Sequence, residues 1–232
     1  MKEVKDINPD TVKQSLNSAG YAHVSGMLSV DECNMIAGLY DDEKLFRSTI
    51  SMQRYRFGLG EYKYFGYPLP PLIQSVRESL YGVLAPIANE WMQKSASDIH
   101  YPIQHKEFIS VCHAHGQVRP TPLILRYEVG GYNTLHQDLY GDVYFPFQVV
   151  FMLKQKGKDY QGGELVFVEQ LPRAQSKASV LSPEQGDAVI FTTNFRPVQG
   201  TRGFYRAKMK HGVSAVTKGV RYTMGVIFHD AK

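Results

Sequence analysis

The sequence has little cysteine. Cys33 and Cys112 are its only two in 232 residues. Two thiols cannot staple a fold of this size, and they fit a reducing cytoplasm in which both stay free and buried. There is no run of 18 or more apolar residues, so no transmembrane helix and no membrane partner is expected. The opening segment, MKEVKDINPD, lacks the apolar stretch of a signal peptide, and none is read. Internal repeats and low-complexity tracts are also missing. With 43% hydrophobic and 21% charged residues, the composition excludes disorder and fibrous structure. The length suits one large domain, or one domain with an appended helical part.

The most informative absence is of acid. From Ala188 to His229 there is no Asp or Glu, while Arg196, Arg202, Arg206, Lys208, Lys210, Lys218 and Arg221 fall in the same stretch. From residue 188 onward, eight basic residues stand against one acidic, a net of +7. Residues 1–187 carry 18 basic against 21 acidic, a net of −3. The mild overall charge of +4 is therefore concentrated in one segment, which favours an anionic ligand or partner. A solvated basic face accounts for charge of this kind as readily.

The pattern divides the chain near residue 100. Residues 1–100 read as a helical region supporting the core. Asn8-Pro9-Asp10 starts a helix that Gly20 stops, and Ser29 with Glu32 has the spacing of a capping box for a second helix running to about Tyr40. Gly58, Gly60, Gly66, Pro68, Pro70 and Pro71 mark a long loop rich in Tyr and Arg. Leu72 to about Met92 has helical apolar spacing, interrupted near Pro86. Residues 101–232 read as a β core, forming one structural domain with what precedes it. There, Leu123–Glu128, Phe147–Leu153, Glu164–Val168, Ala188–Thr192, Tyr205–Lys210 and Tyr222–Phe228 are short β-rich runs separated by turn residues. Such spacing predicts a sandwich or barrel. Cys112-His113-Ala114-His115 lacks the second ligand pair a zinc site needs and is read as a loop.

His136-Gln137-Asp138 carries the first chemical signal. Residues i and i+2 of a strand share a face, so this imidazole and carboxylate can meet one cation. Two histidines and one carboxylate, with open positions, form the ligand set of non-haem Fe(II) oxygenases. His211 is a candidate third ligand. Arg221, ten residues further on, could hold a carboxylate in the bidentate manner of a guanidinium.

Taken together, Tyr127-x-x-Gly130, the His136-Gln137-Asp138 motif, Gly162-Gly163-Glu164-Leu165-x-Phe167, Gly186-Asp187-Ala188-x-x-Phe191 and His211-Gly212-Val213 through Arg221 resemble the Fe(II)- and 2-oxoglutarate-dependent dioxygenases. The resemblance implies an α+β fold, a double-stranded β-helix (jelly-roll) core with N-terminal helices packed on it. It implies Fe(II) on His136, Asp138 and His211, and 2-oxoglutarate as co-substrate with its far carboxylate on Arg221, beside Tyr127. With O2, the co-substrate would be decarboxylated to succinate while a C–H bond is oxidised. LHQDLYGDVYFPFQ, RPVQGTRGFYR, FRSTISMQRYRFGLGEYKYF and the closing FHDAK are similar to a bacterial oxygenase group inferred to demethylate damaged nucleic-acid bases. The implied partner is single-stranded or damaged nucleic acid. The ten residues from His211 to Arg221 are closer to prolyl-hydroxylase-like enzymes. The alternative is therefore a hydroxylase of an amino acid, a protein side chain or a small metabolite.

For a nucleic-acid substrate, Arg196, Arg202 and Arg206 are candidate contacts near the mouth of the site, with Asp142 as a candidate polar contact. Arg47, Arg54, Arg56 and Lys63 also interleave with Tyr55, Phe57, Tyr62, Tyr64 and Phe65. That texture suits phosphate contact and base stacking, although packing of a helical layer explains most of these rings more simply.

Overall fold

The computed structural model describes residues 7–138 and 141–232. Met1–Asp6 and the first residue of the expected Tyr140-Gly141-Asp142 turn lie outside the described residues. Helix α1 spans Pro9–Ala19. The Asn8 side chain accepts from the amides of Asp10 and Thr11, and Gly20 ends the helix in the left-handed conformation. Strand β1 (Tyr21–Val24) leads to α2 (Val30–Gly38), whose capping box pairs Ser29 and Glu32. The α-helix stops two residues short of Tyr40, and Leu39–Asp41 continue as a 3-10 turn.

The Tyr- and Arg-rich stretch is more ordered than its glycines and prolines suggest. It forms β2 (Phe46–Ser51), β3 (Gly58–Leu59) and β4 (Glu61–Phe65). The first hundred residues are thus not purely helical, because β1, β2 and β4 all join the main sheet. Helix α3 runs unbroken through Pro71–Lys94 with Pro86 inside it. Pro86 has no N–H to donate to the carbonyl of Gly82, four residues back. The burial of Leu80, Leu84, Ile87 and Trp91 on either side outweighs one missing hydrogen bond. Residues His105–Ala114 form α4, so Cys112 and His113 sit on a helix and not in the expected loop. His105, Phe108 and Cys112 form its buried stripe at helical spacing.

The remaining strands are β5 (Leu123–Tyr127), β6 (Tyr132–His136), β7 (Phe147–Met152), β8 (Tyr160–Gly162), β9 (Leu165–Gln170), β10 (Lys177–Leu181), β11 (Ala188–Thr192), β12 (Phe195–Gly200), β13 (Gly203–Val213), β14 (Val216–Gly219) and β15 (Arg221–Ile227). Seven form one antiparallel sheet in the order β1-β11-β7-β15-β5-β4-β2. A second sheet runs β10-β9-β13-β6-β3, with β12 on β13, and β8 pairs with β14. Together they make the jelly roll. Strand β7 is buried on both faces and shows how the layers divide. Phe147, Val149 and Phe151 join the cluster that includes Leu84 and Trp91 of α3, with the Trp91 and Phe147 rings 4.7 Å apart. Val150 and Met152 turn the other way, against Leu165, Phe167 and Met209 of the second sheet. Gln148 shares that inward parity.

The closing Phe228-His229-Asp230 segment is a structural clamp. Arg77 and Asp230 are both fully buried, 2.9 Å apart. The Arg77 guanidinium also donates to the carbonyls of Ile227 and Phe228 and to the hydroxyl of Tyr67. A buried ion pair is tolerable only when its remaining donors are satisfied in this way.

Candidate active site

Strands β6 and β13 bring His136 and His211 into register as directly paired residues. Their rings lie side by side, with centroids 4.2 Å apart. Asp138 lies two residues past the end of β6, so the strand supplies the first histidine and its continuation supplies the carboxylate. Asp138 Oδ1 is 3.6 Å from His136 Nε2, and Oδ2 is 3.3 Å from His211 Nε2. The ligand atoms of the three residues all fall within 4.8 Å of one another, a spacing able to hold one metal ion.

The protonation states suit ligation. His136 Nδ1 lies 2.7 Å from the Thr134 carbonyl, which can only accept. The neutral ring therefore carries its proton on Nδ1 and presents the Nε2 lone pair to the cluster. Burial and the neighbouring His211 push His136 below its ordinary pKa, which favours this neutral form. Burial raises Asp138, but the hydrogen bond and charge of His211, then His136 and the Gln148 amide, overcome it. The carboxyl is held far below the usual range and is ionised.

These residues line a cavity of about 320 Å³ that also reaches Arg221 and Tyr127. Arg221 is almost wholly buried, yet its contacts are weak: Thr223 Oγ1 at 3.4 Å and Met152 Sδ at 3.8 Å. Its Nε has no hydrogen-bond partner, and among the described residues no carboxylate pairs with it. A buried guanidinium left this way is costly unless a ligand anion completes it. The Tyr127 ring lies 5.5 Å from the guanidinium carbon. Burial pushes the Tyr127 phenol up to about 12 against the opposing Arg221 charge, so it stays protonated. Gly163 explains its motif locally: a Cβ there would lie 2.7 Å from Arg221 Cδ, at a backbone φ of +64°. Phe57, Tyr62 and Tyr64 form an aromatic wall of the same cavity.

The other expected contacts lie elsewhere. Arg196 pairs with Glu169 at 2.6 Å and donates to the Asn17 carbonyl, fastening β12 to β9 and α1. Arg202 is exposed at the β12–β13 turn. Arg206 donates to the Ser95 carbonyl and covers the Phe195 ring at 4.7 Å. Asp142 is an exposed partner of Lys232. None of these four lines the cavity. Strand alternation gives the reason: Arg206, Lys208 and Lys210 lie on the exposed face of β13, opposite to His211. Gln148, which contacts Asp138 and His211, was not among the expected site residues.

Residues 60–231 match the Oxygenase-NA family, described as an oxygenase catalysing oxidative methylation of damaged DNA. The chain belongs to this family. It is an oxygenase. An uncharacterized protein from each of two Mycobacterium tuberculosis strains is 44% identical over 167 residues, covering 72% of both chains. Among solved structures, a Pseudomonas putida prolyl-4-hydroxylase superposes with a TM-score of 0.59 at 13% identity, covering 97% of this chain and 100% of its own. A Burkholderia pseudomallei oxidoreductase of the 2OG-Fe(II) oxygenase family gives 0.53 at 15% identity, over 97% and 94%. These two likenesses establish the fold.

Proposed function

We propose that this oxygenase removes methyl groups oxidatively from alkylated DNA or RNA bases. The observation that carries the reading is the single cavity in which His136, Asp138 and His211 face the unpaired guanidinium of Arg221, within a family described by its action on damaged DNA. The donor set fits Fe(II), and the orphaned Arg221 Nε fits the far carboxylate of 2-oxoglutarate. When bound, Fe(II) with O2 and 2-oxoglutarate supplies the oxidising power, yielding succinate and CO2 and placing one oxygen atom in a C–H bond. An N-methyl group oxidised in this way becomes N-hydroxymethyl, which releases formaldehyde and restores the N–H. On a methylated base, then, oxygen insertion removes the methyl group.

The chain's own residues prepare that step. His136 is fixed by Thr134 with Nε2 free to ligate, and Asp138 is ionised and oriented by Gln148. Arg221 sets the co-substrate's direction from a buried floor beside Tyr127. The wall of Phe57, Tyr62 and Tyr64 limits water at the reacting carbon and offers faces to a planar base. A cytoplasmic location agrees with the free, buried Cys33 and Cys112.

Substrate profiling tests the reading. Succinate and formaldehyde release is compared across N-methylated single-stranded oligonucleotides and a panel of amino acids and proline-containing peptides. Formaldehyde from oligonucleotides supports it. Hydroxylated peptide or amino acid without oligonucleotide turnover would replace it with the prolyl-hydroxylase-like alternative, which the ten-residue interval from His211 to Arg221 favours.

A further inference from the structure

Met52 and Phe57, which line the cavity next to β6, belong to the segment 52–58 that forms its rim there. Met52–Tyr55 form one 3-10 turn, and Arg56 takes the left-handed conformation at φ 60°. The chain then pairs Gly58 and Leu59 with Asn133 and Tyr132 of β6. Gly58 is obligatory there, since a Cβ would lie 2.2 Å from the Tyr132 carbonyl oxygen. The Phe57 carbonyl accepts from both the amide and the hydroxyl of Thr134, each at 2.9 Å. Thr134 in turn holds His136. The rim is therefore fastened directly to the strand that ends in a metal ligand.

This braced segment nevertheless turns large apolar rings to solvent. Tyr55 is 49% exposed and Phe57 is 46% exposed. Their rings are stacked, 5.6 Å apart and within 19° of parallel. The Arg54 guanidinium lies 5.9 Å from the Tyr55 ring. Arg54 and Arg56 are exposed, and among the described residues neither pairs with a carboxylate. Phe57 also lines the metal cavity, so the pair reaches from solvent to the site itself. Parallel aromatic faces interleaved along the chain with unpaired cations match a chain of planar bases joined by phosphates.

We propose that Tyr55 and Phe57, flanked by Arg54 and Arg56, are a stacking platform that holds a single-stranded nucleic acid at the mouth of the active site. This rests on the nucleic-acid reading above and names the residues that recognise the strand. Rings accept any base, so the platform positions a strand without choosing its sequence. The two guanidinium groups contact phosphates on either side.

The test uses the full chain loaded with Mn(II) and 2-oxoglutarate. Binding of a fluorescein-labelled, mixed-sequence single-stranded oligonucleotide is followed by anisotropy. Replacing both rings, Tyr55→Leu with Phe57→Leu, should weaken binding about tenfold or more, while the swapped pair Tyr55→Phe with Phe57→Tyr retains it. Arg54→Gln with Arg56→Asn should flatten the slope of log affinity against log salt by about 1.4, roughly 0.7 for each phosphate contact on a single strand. A second measurement needs no variant: 2-aminopurine in the strand should be quenched on binding the wild-type protein. Wild-type affinity in the leucine pair, or no quenching at any placed 2-aminopurine, overturns the platform and leaves the nucleic-acid reading standing. A wild-type protein that binds no oligonucleotide and releases no formaldehyde from methylated ones overturns both.

Discussion

The side-chain amide of Gln148 lies 2.6 Å from Asp138 Oδ2 and 3.2 Å from His211 Nε2. It is the one polar side chain that β7 sends inward, and it meets the carboxylate that clusters with His136 and His211 at a spacing able to hold a metal ion. A second partner of this kind fixes which oxygen is free and lowers the entropy lost on ligation. Gln148→Leu, close in size, should weaken Mn(II) or Fe(II) binding by about 10–100-fold with little change in thermal stability. Calorimetric titration of the metal checks this, and unchanged affinity would show that Asp138 needs no such support.

Arg221 is the floor of the same cavity. Arg221→Gln removes the charge that would receive the far carboxylate of 2-oxoglutarate, an interaction worth about 2–5 kcal/mol when buried. The expected result is a rise in 2-oxoglutarate KM of roughly 30-fold or more, read from succinate formation at varied co-substrate. Gly163→Ala should move the same constant in the same direction, because its methyl group would press on Arg221 Cδ. An unchanged KM in Arg221→Gln would place the carboxylate on another cation.

The clamp between Arg77 and Asp230 concerns stability alone, since neither residue lines the cavity. Asp230→Ala leaves a fully buried guanidinium without its charge partner, a loss of about 3–5 kcal/mol. For a chain of this length that corresponds to a fall in Tm of roughly 6–20 °C. A melting curve decides it, and a shift of a degree or two would mean that the carbonyls of Ile227 and Phe228 suffice to satisfy Arg77.

Acid should destabilise the fold before its carboxylates titrate. Burial, then the Arg77 charge, holds His105 and His229 down to about 4. In the unfolded chain, histidine titrates near 6.5. Between these values the unfolded state binds protons that the folded state refuses. The stability is fully present above pH 6.5 and is lost as pH falls toward 4, by up to about 1.4 kcal/mol per pH unit for each histidine. Urea midpoints at pH 7, 6 and 5 should fall in step, less steeply in His105→Gln, whose amide can still donate to the Phe228 carbonyl. Equal slopes in both proteins would assign the acid loss to other groups.

Much of this was legible because local signals and tertiary structure agree. The Asn8 cap, the Ser29–Glu32 box and the six apolar β runs correspond to elements of the fold. Strand β4 was hidden because glycine and proline surround it, and β2 because its polar residues sit at a sheet edge where alternation is not apolar against polar. Arg196, Arg202 and Arg206 lie away from the cavity for a related reason. Charge counted along a chain carries no direction, and β13 turns its lysines away from the face that holds His211. Of the interleaved cationic and aromatic residues Arg54 to Phe57, it is Phe57 that lines the cavity, and it comes from a different part of the chain. Gln148 left one trace: a single amide within the otherwise apolar run Phe147–Leu153. A buried strand admits such a residue at little cost only where it has a polar partner.

In the proposed function, His136, Asp138, His211 and Arg221 together run an oxygen-dependent demethylation of a base. The most direct measurement is formaldehyde and succinate released from an N-methylated single-stranded oligonucleotide in the presence of Fe(II), O2 and 2-oxoglutarate. The wild-type protein should release the two in equal amounts. His211→Ala should release neither, and Arg221→Gln should recover part of its rate at high 2-oxoglutarate. Formaldehyde release that survives His211→Ala, or succinate formed without formaldehyde from any methylated oligonucleotide, would contradict it.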